Sequence, residues 1–312
     1  MEQDIISPVS TELIESELTE SAFLRDTNKG GNKIYVVDAY SAPNVMREIG
    51  RLREEAFRAA GGGTGKDCDI DEYDLMTPPC RQLVVWDPDA RLIIGAYRYI
   101  LGKDIKFCED GSPRIATSHM FKFSQKFVDE YLPYILELGR SFVRLEYQSS
   151  KAGAKALYAL DNLWDGLGAL TVVHPEIKYF FGKVTMYLSY KTKCRNMILY
   201  FFKKYFGDPD NLVYPMNPLE VEMDEEFMEN LFTGGCYAED YKILNQEIRS
   251  CGINIPPLVN AYMNLSPTMR SFGTAINDEF GDVEETGIMV TIDEILENKR
   301  QRHIETFTPQ NI

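Results

Sequence analysis

Gln82-Leu-Val-Val-Trp-Asp-Pro-Asp-Ala-Arg-Leu-Ile-Ile-Gly-Ala-Tyr-Arg98 is the most informative stretch of the chain. Two apolar runs, Gln82–Trp86 and Leu92–Arg98, flank Asp87-Pro-Asp-Ala90. Pro presets a turn dihedral and Asp bonds its own backbone, so the stretch reads as a β-hairpin. Towards the N-terminus, Lys33–Val37 is a short strand. Pro43 opens a helix of about 16 residues, with Val45, Ile49, Leu52 and Phe57 near helical spacing, and Gly61-Gly-Gly63 ends it. Towards the C-terminus come a strand in Leu136–Leu145, an amphipathic helix over Ala152–Leu170 and a strand over Tyr179–Tyr187. An aromatic helix over 195–206, a helix over Pro257–Leu265 and a strand over Gly287–Ile292 follow. The segment 208–256 holds Pro and acidic clusters without a clear period. The pattern β-α-β-β-β-α-β is mixed α/β. It predicts one domain over 31–300 with a helical insertion at about 190–256, an N-terminal appendage over 1–30 with a helix from Thr11 to about Phe23, and a tail over 301–312.

Composition narrows the classes. The 312 residues are 44% hydrophobic and 26% charged, enough for a sizeable core. With 33 basic and 48 acidic residues the net charge is −15, which disfavours nucleic acid as a partner. The six cysteines lack C-x-x-C spacing and there are three His, so neither a metal site nor a disulfide framework is expected, and reduced thiols fit a cytoplasm. The N-terminus has no apolar signal region. The densest apolar run, Met197–Phe202, is six residues long. A membrane-spanning helix needs about 20, so no crossing is expected, while peripheral contact with the inner face of the cytoplasmic membrane stays open.

Familiar chemistries are missing. There is no G-x-S-x-G elbow, no G-x-x-x-x-G-K-[ST] loop and no H-x-x-x-x-D pair; Gly61-Gly-Gly-Thr-Gly-Lys66 follows a helix rather than a strand and reads as a flexible loop. Polar residues beside apolar strands remain. Asp69, Asp71, Glu72 and Asp74 share one loop, Asp67 to Pro79. It lacks the Gly of a calcium loop, and a solvated acidic loop is the plainer reading. Arg98 ends a hydrophobic strand, and Glu137 and Arg140 sit inside another. At i, i+3 in a strand those two face opposite sides, unless a bulge at Gly139 joins them in a buried salt bridge.

Arg53-Glu-Glu-Ala-Phe57, Asp71-Glu-Tyr-Asp74, Leu83-Val-Val, Gly95-Ala-Tyr-Arg98 and Leu136-Glu-Leu-Gly-Arg140 follow in order. The set resembles the acyl-carrier-protein-dependent N-acyltransferases of the GNAT superfamily, which make ornithine and glycine lipids and are often labelled hemolysin-like. Acyl-homoserine-lactone synthases are more distant relatives. Leu163-Trp-Asp-Gly166, Phe181-Gly-Lys-Val-Thr185 and Ile255-Pro-Pro-Leu-Val-Asn-Ala-Tyr262 extend the likeness over about 33–292. Asn260 stands where the ornithine branch is associated with Lys, which tilts the acceptor towards glycine.

The resemblance implies a GNAT-like central sheet flanked by helices. It also implies N-acylation of an amino acid, with acyl carrier protein as thioester donor, a long-chain acyl group with or without a 3-hydroxyl, and no bound cofactor. Glu137 would be base or amine orienter. Arg140 and Arg98 would hold the Asp71/Asp74 loop or bind the acceptor carboxylate, and backbone N–H groups after Glu137 would hold the oxyanion. Arg53 and Phe57 would brace the loop, and Trp164 would support the site. Ser149, Ser150 and Gly153 would meet the donor phosphate at a helix start. Between Lys178 and Gly207 lie seven basic residues and no acidic one, leaving −22 on the rest of the chain. Lys203 and Lys204, beside Tyr200, Phe201, Phe202, Tyr205 and Phe206, would then dock the acidic carrier protein or an anionic surface. The alternatives are an acyl-homoserine-lactone-type synthase and a non-catalytic acyl or carrier-protein binding module.

Overall fold

The structure is a computed structural model and describes residues 2–148 and 154–309. The hairpin forms as expected, with β3 at Arg81–Asp87 and β4 at Leu92–Leu101. Asp87 Oδ1 accepts the N–H groups of Asp89 and Ala90, both at 3.0 Å, which closes the turn. Around it grows an eight-stranded sheet. Its other strands are β1 (Phe23–Asp26), β2 (Lys33–Val37), β6 (Ile135–Val143), β7 (Tyr179–Met186), β9 (Arg270–Asn277) and β10 (Val283–Thr291). The order is β1-β2-β3-β4-β6-β7-β10-β9, and every neighbouring pair is antiparallel except β6 with β7. A small second sheet pairs β5 (Phe121–Phe123) with β8 (Val213–Pro215). The helices are α1 (Thr11–Glu17), α2 (Pro43–Ala60), α3 (Glu72–Leu75), α4 (Ala154–Val173), α5 (Thr192–Phe206), α6 (Glu225–Leu231), α7 (Tyr237–Ser250), α8 (Pro257–Met263) and α9 (Glu297–His303). Among the described residues no helix is long and apolar enough to cross a membrane.

Side chains alternate along a strand, so each face of the sheet has its own core. Leu83, Val85, Tyr97, Tyr99 and Leu138 pack with Leu163, Leu167 and Leu170 of α4. Val84, Trp86, Ala96 and Phe142 pack with Val45, Ile49 and Leu52 of α2. α2 ends as its glycines predict: Gly61 takes φ 95°, and the N–H groups of Gly61 and Gly62 return to the carbonyls of Arg58 and Phe57.

Several expectations change. The first helix stops at Glu17, and Phe23–Asp26 becomes the edge strand of the main sheet, so the expected appendage contributes to the domain itself. Its Glu17 carboxylate accepts the N–H groups of Asn44 (3.2 Å) and Val45 (2.9 Å) and thereby caps α2. α4 is buried all round between Leu163 and Leu170 rather than amphipathic, because it packs on β1, β3 and β4 of the sheet and is also contacted by α9. The unassigned 208–256 holds β8, α6 and α7, and β9 is a strand that the sequence pattern did not signal. In the expected tail, His303 is buried and its Nδ1 lies 2.8 Å from Asp165.

Candidate active site

β6 and β7 pair from Ile135↔Tyr179 to Leu138↔Gly182 and then part, although both strands continue. A cavity of about 450 Å³ opens there. Its walls include Glu137 to Val143 of β6, Lys183 and Thr185 of β7, Phe57 of α2 and Tyr262 of α8. Parallel strands that part leave backbone N–H and C=O groups facing the gap, so the cavity has polar backbone on one wall and aromatic side chains on another.

The sheet face towards α2 carries the polar side chains. The pairs Gln82↔Arg98, Ile100↔Glu137, Glu137↔Phe181 and Thr185↔Glu285 place Gln82, Arg98, Glu137, Lys183, Thr185 and Glu285 on that one face. Arg140 would point away by simple alternation. However, the pairing jumps from Arg98↔Gly139 to Ala96↔Phe142, so Arg140 and Ser141 together oppose Tyr97, and Arg140 takes φ 47°. This bulge, one residue beyond the expected Gly139, turns Arg140 onto the polar face.

It does not bring Arg140 to Glu137, so the expected salt bridge between them is replaced by another pairing. Arg140 Nε lies 2.9 Å from Asp69 Oδ2, and its guanidinium stacks 4.4 Å above the Phe280 ring. Arg98 Nη1 donates to both oxygens of Asp71 at 2.7 Å. Arg53, wholly buried, donates to Asp74 (3.0 Å), to the Asp69 carbonyl (3.2 Å) and to Gln82 (2.6 Å). The D-x-x-D spacing is a capping box: Asp71 caps α3 by accepting the Tyr73 and Asp74 N–H groups, and Asp74 accepts the Asp71 N–H. The acidic loop is therefore clamped by three arginines rather than solvated. Burial alone would raise the Asp71 carboxyl, but Arg98, with Arg140 and Arg53 beyond it, holds it well below the ordinary range.

Glu137 is in a different position. Its Oε1 accepts the Thr117 N–H (3.2 Å) and hydroxyl (2.9 Å), and the residue lines the cavity. Burial pushes its carboxyl upward, and the attraction of Arg98, the Thr117 bonds and Lys183 only partly offsets this. A carboxyl raised in this way is a stronger proton acceptor than an ordinary carboxylate. Beside it, Lys183 pairs with Glu285 at 2.6 Å, and Glu285 also accepts from Thr185 and Asn277, each at 3.2 Å. Sequence reading missed Thr117, Gln82 and Glu285. Lys183 within an otherwise apolar strand was the available signal for that pair.

Phe57 lies on the cavity wall and packs edge-on against Phe280 at 5.0 Å. Trp164 is buried behind the wall, edge-on to Tyr262 at 5.2 Å. Ser149, Ser150 and Gly153 lie outside the described residues. Asn260 is away from the cavity, bonded by the Tyr241 hydroxyl. Lys203 and Lys204 are also away from the cavity wall. Lys203 meets Glu225 at 3.2 Å, and Lys204 meets the buried Asp240 at 2.7 Å and the Phe232 carbonyl at 2.5 Å. Lys183 and Arg195 are paired as well, with Glu285 and Glu284. The basic run of the sequence is thus dispersed among acids from other elements. Phe201, Phe202 and Phe206 are core residues rather than a surface element.

A family model described as an acetyltransferase (GNAT) domain matches residues 52–158. The chain is 63% identical over 309 residues to a protein named glycine N(alpha)-acyltransferase from Phocaeicola vulgatus, covering 99% of this chain and 95% of that one. It is 66% identical over 305 residues to one of the same name from Bacteroides thetaiotaomicron, covering 98% and 90%. Among solved structures, a CoA-dependent acyl-homoserine lactone synthase with SAM and isopentyl-CoA aligns with TM-score 0.36 and 11% identity over 87% of this chain and 89% of that one.

Proposed function

The chain belongs to the glycine N(alpha)-acyltransferase family and has the GNAT fold, and on that premise we propose that it acylates the amino group of glycine with a long-chain fatty acyl group carried as a thioester on acyl carrier protein. The product is an N-acylglycine, a lyso-aminolipid. The observation that carries the reading is the buried Glu137 carboxyl at the place where β6 and β7 part, on the cavity wall.

Glycine meets the enzyme as an ammonium, which has no lone pair. Glu137 takes one proton, and the free amine attacks the thioester carbonyl. Backbone N–H groups of β6 beyond Leu138 stabilise the oxyanion, because they already lack a strand partner on the β7 side. Collapse breaks the C–S bond. Of the three ammonium hydrogens, one stays on the amide, one ends on the released thiol and one is lost to solvent. The acyl chain follows the apolar wall formed in part by Leu160, Leu258 and Tyr262. Each buried methylene contributes about 0.8 kcal/mol, so a chain of a dozen binds strongly through that wall alone.

The test is turnover by Glu137→Gln, with glycine and an acyl-carrier-protein thioester, followed by mass spectrometry of the product. The expected result is loss of about 100-fold or more in kcat with an unchanged fold, in line with the usual contribution of a general base. Near-normal turnover would remove Glu137 from the mechanism. Absence of any N-acylglycine from the wild-type protein would overturn the acceptor.

A further inference from the structure

An α-amino acid carries its amine and its carboxylate two bonds apart, so a site that activates the amine must offer a cation close by. Three cations line the cavity among the described residues: Arg98, Arg140 and Lys183. Arg98 is spent on Asp71 and Asp74, and it is buried to 2% exposure. Arg140 is held by Asp69 and flattened against Phe280. Lys183 differs. Its ammonium has three donors; one goes to Glu285 at 2.6 Å and a weak one to the Met120 sulfur at 3.7 Å. Glu137 pairs directly with Phe181, and Lys183 stands two residues further along β7 on the same face. Base and ammonium therefore sit side by side on one wall. The Lys183–Glu285 pair is a diagonal cross-strand contact, since Glu285 opposes Thr185, and Thr185 and Asn277 hold the Glu285 carboxylate in place.

We infer that Lys183, oriented by Glu285, binds the carboxylate of the acceptor amino acid and so selects acceptors that carry a free α-carboxylate next to the amine. This rests on the glycine-acylating reading above and adds the group that recognises the acceptor. It also gives a reason for an ion pair to line a cavity, where desolvation makes charges costly: the Lys183 side chain is kept paired and aimed while the acceptor is absent.

The experiment compares glycine with glycinamide, which keeps the amine and loses the anionic carboxylate, in steady-state assays with an acyl-carrier-protein thioester. Wild-type protein should prefer glycine by about 10–100-fold in kcat/KM, the range of one charge-assisted hydrogen bond. Lys183→Met should bring the two acceptors to within a few-fold of each other, mainly through a higher KM for glycine, and Lys183→Arg should recover part of the preference. If Lys183→Met does not fold because Glu285 is left unpaired, Lys183→Met/Glu285→Gln removes both charges and serves instead. A wild-type preference that survives in the folded variant overturns the inference and leaves the glycine reading intact. Collapse of the preference in Arg140→Met but not in Lys183→Met gives the carboxylate to Arg140 and also overturns it. A wild-type protein that acylates neither compound fails the underlying reading instead.

Discussion

Arg53 and Glu137 lie within the same polar layer and do opposite things. Arg53 has no exposure and satisfies Asp74, Gln82 and a carbonyl at once. Removing one partner of a buried pair strands the other, at about 3–5 kcal/mol. Arg53→Ala should therefore lower the free energy of unfolding, read from denaturant melts, by that amount, and its activity loss should track its unfolding. Glu137→Gln should show the reverse pattern. Because the Glu137 carboxyl is raised by burial, ionising it costs stability in the folded state. By linkage the cost is absent below the ordinary Glu pKa of about 4.3, grows as the pH rises from there to the raised pKa, and is full above it. At neutral pH the Gln variant should melt no lower than the wild type, and any advantage should fade as the pH falls through that pKa. The turnover of the wild type should fall over the same acid window, above the ordinary Glu value of about 4.3, because the base becomes protonated. A pH–rate profile and parallel melts at each pH check both statements.

Among the elements, α5 shows how an apparent surface helix becomes core. Phe201 contacts Tyr205, Phe206, Phe232, Tyr237 and Tyr241, with ring centroids 4.7–6.3 Å apart. The aromatic residues look inward because α6 and α7 fold over them, and the sequence of α5 alone does not reveal that cover. Its two terminal lysines then diverge. Lys204 neutralises Asp240, which is fully buried and also accepts the Tyr205 hydroxyl and the Gly234 N–H (2.8 Å). Lys203 is exposed and meets the exposed Glu225 at 3.2 Å. Lys204→Glu should thus cost about 1–3 kcal/mol by leaving Asp240 facing a like charge. Lys203→Glu should leave the melting temperature nearly unchanged. If the two variants melt alike, the Asp240 pairing does not anchor α7.

Across the whole molecule, the edge of the sheet lies where the sequence suggested a detachable segment. β1 covers β2 through Arg25↔Ile34 and Asp26↔Lys33, and Val9 donates to Glu48 of α2 at 3.0 Å. Deleting residues 2–26 would expose a hydrophobic edge at β2 and uncap α2, and exposed edges invite pairing with other chains. The shortened protein should appear in aggregates, or at higher apparent mass in size-exclusion chromatography, and a monodisperse, active product would show the segment to be dispensable. Local chemistry made much of the rest readable. The Asp87–Ala90 turn, the Gly61 stop and the alternation of β3, β4, β6 and β7 depend on dihedral preferences and side-chain period, which travel with the sequence. Acyl transfer and the polar residues Arg53, Asp71, Asp74, Arg98, Glu137 and Arg140 were legible as an ordered set. What each of them touches was not. A one-residue bulge sends Arg140 to Asp69 instead of Glu137, and an antiparallel register brings Glu285 to Lys183 from 102 positions away in the chain. The charge balance divides in the same way: chain order alone puts seven basic residues together between Lys178 and Gly207. Folding then brings four of them to acids from β10, α6 and α7, because ion pairing depends on distance in space and not on position along the chain.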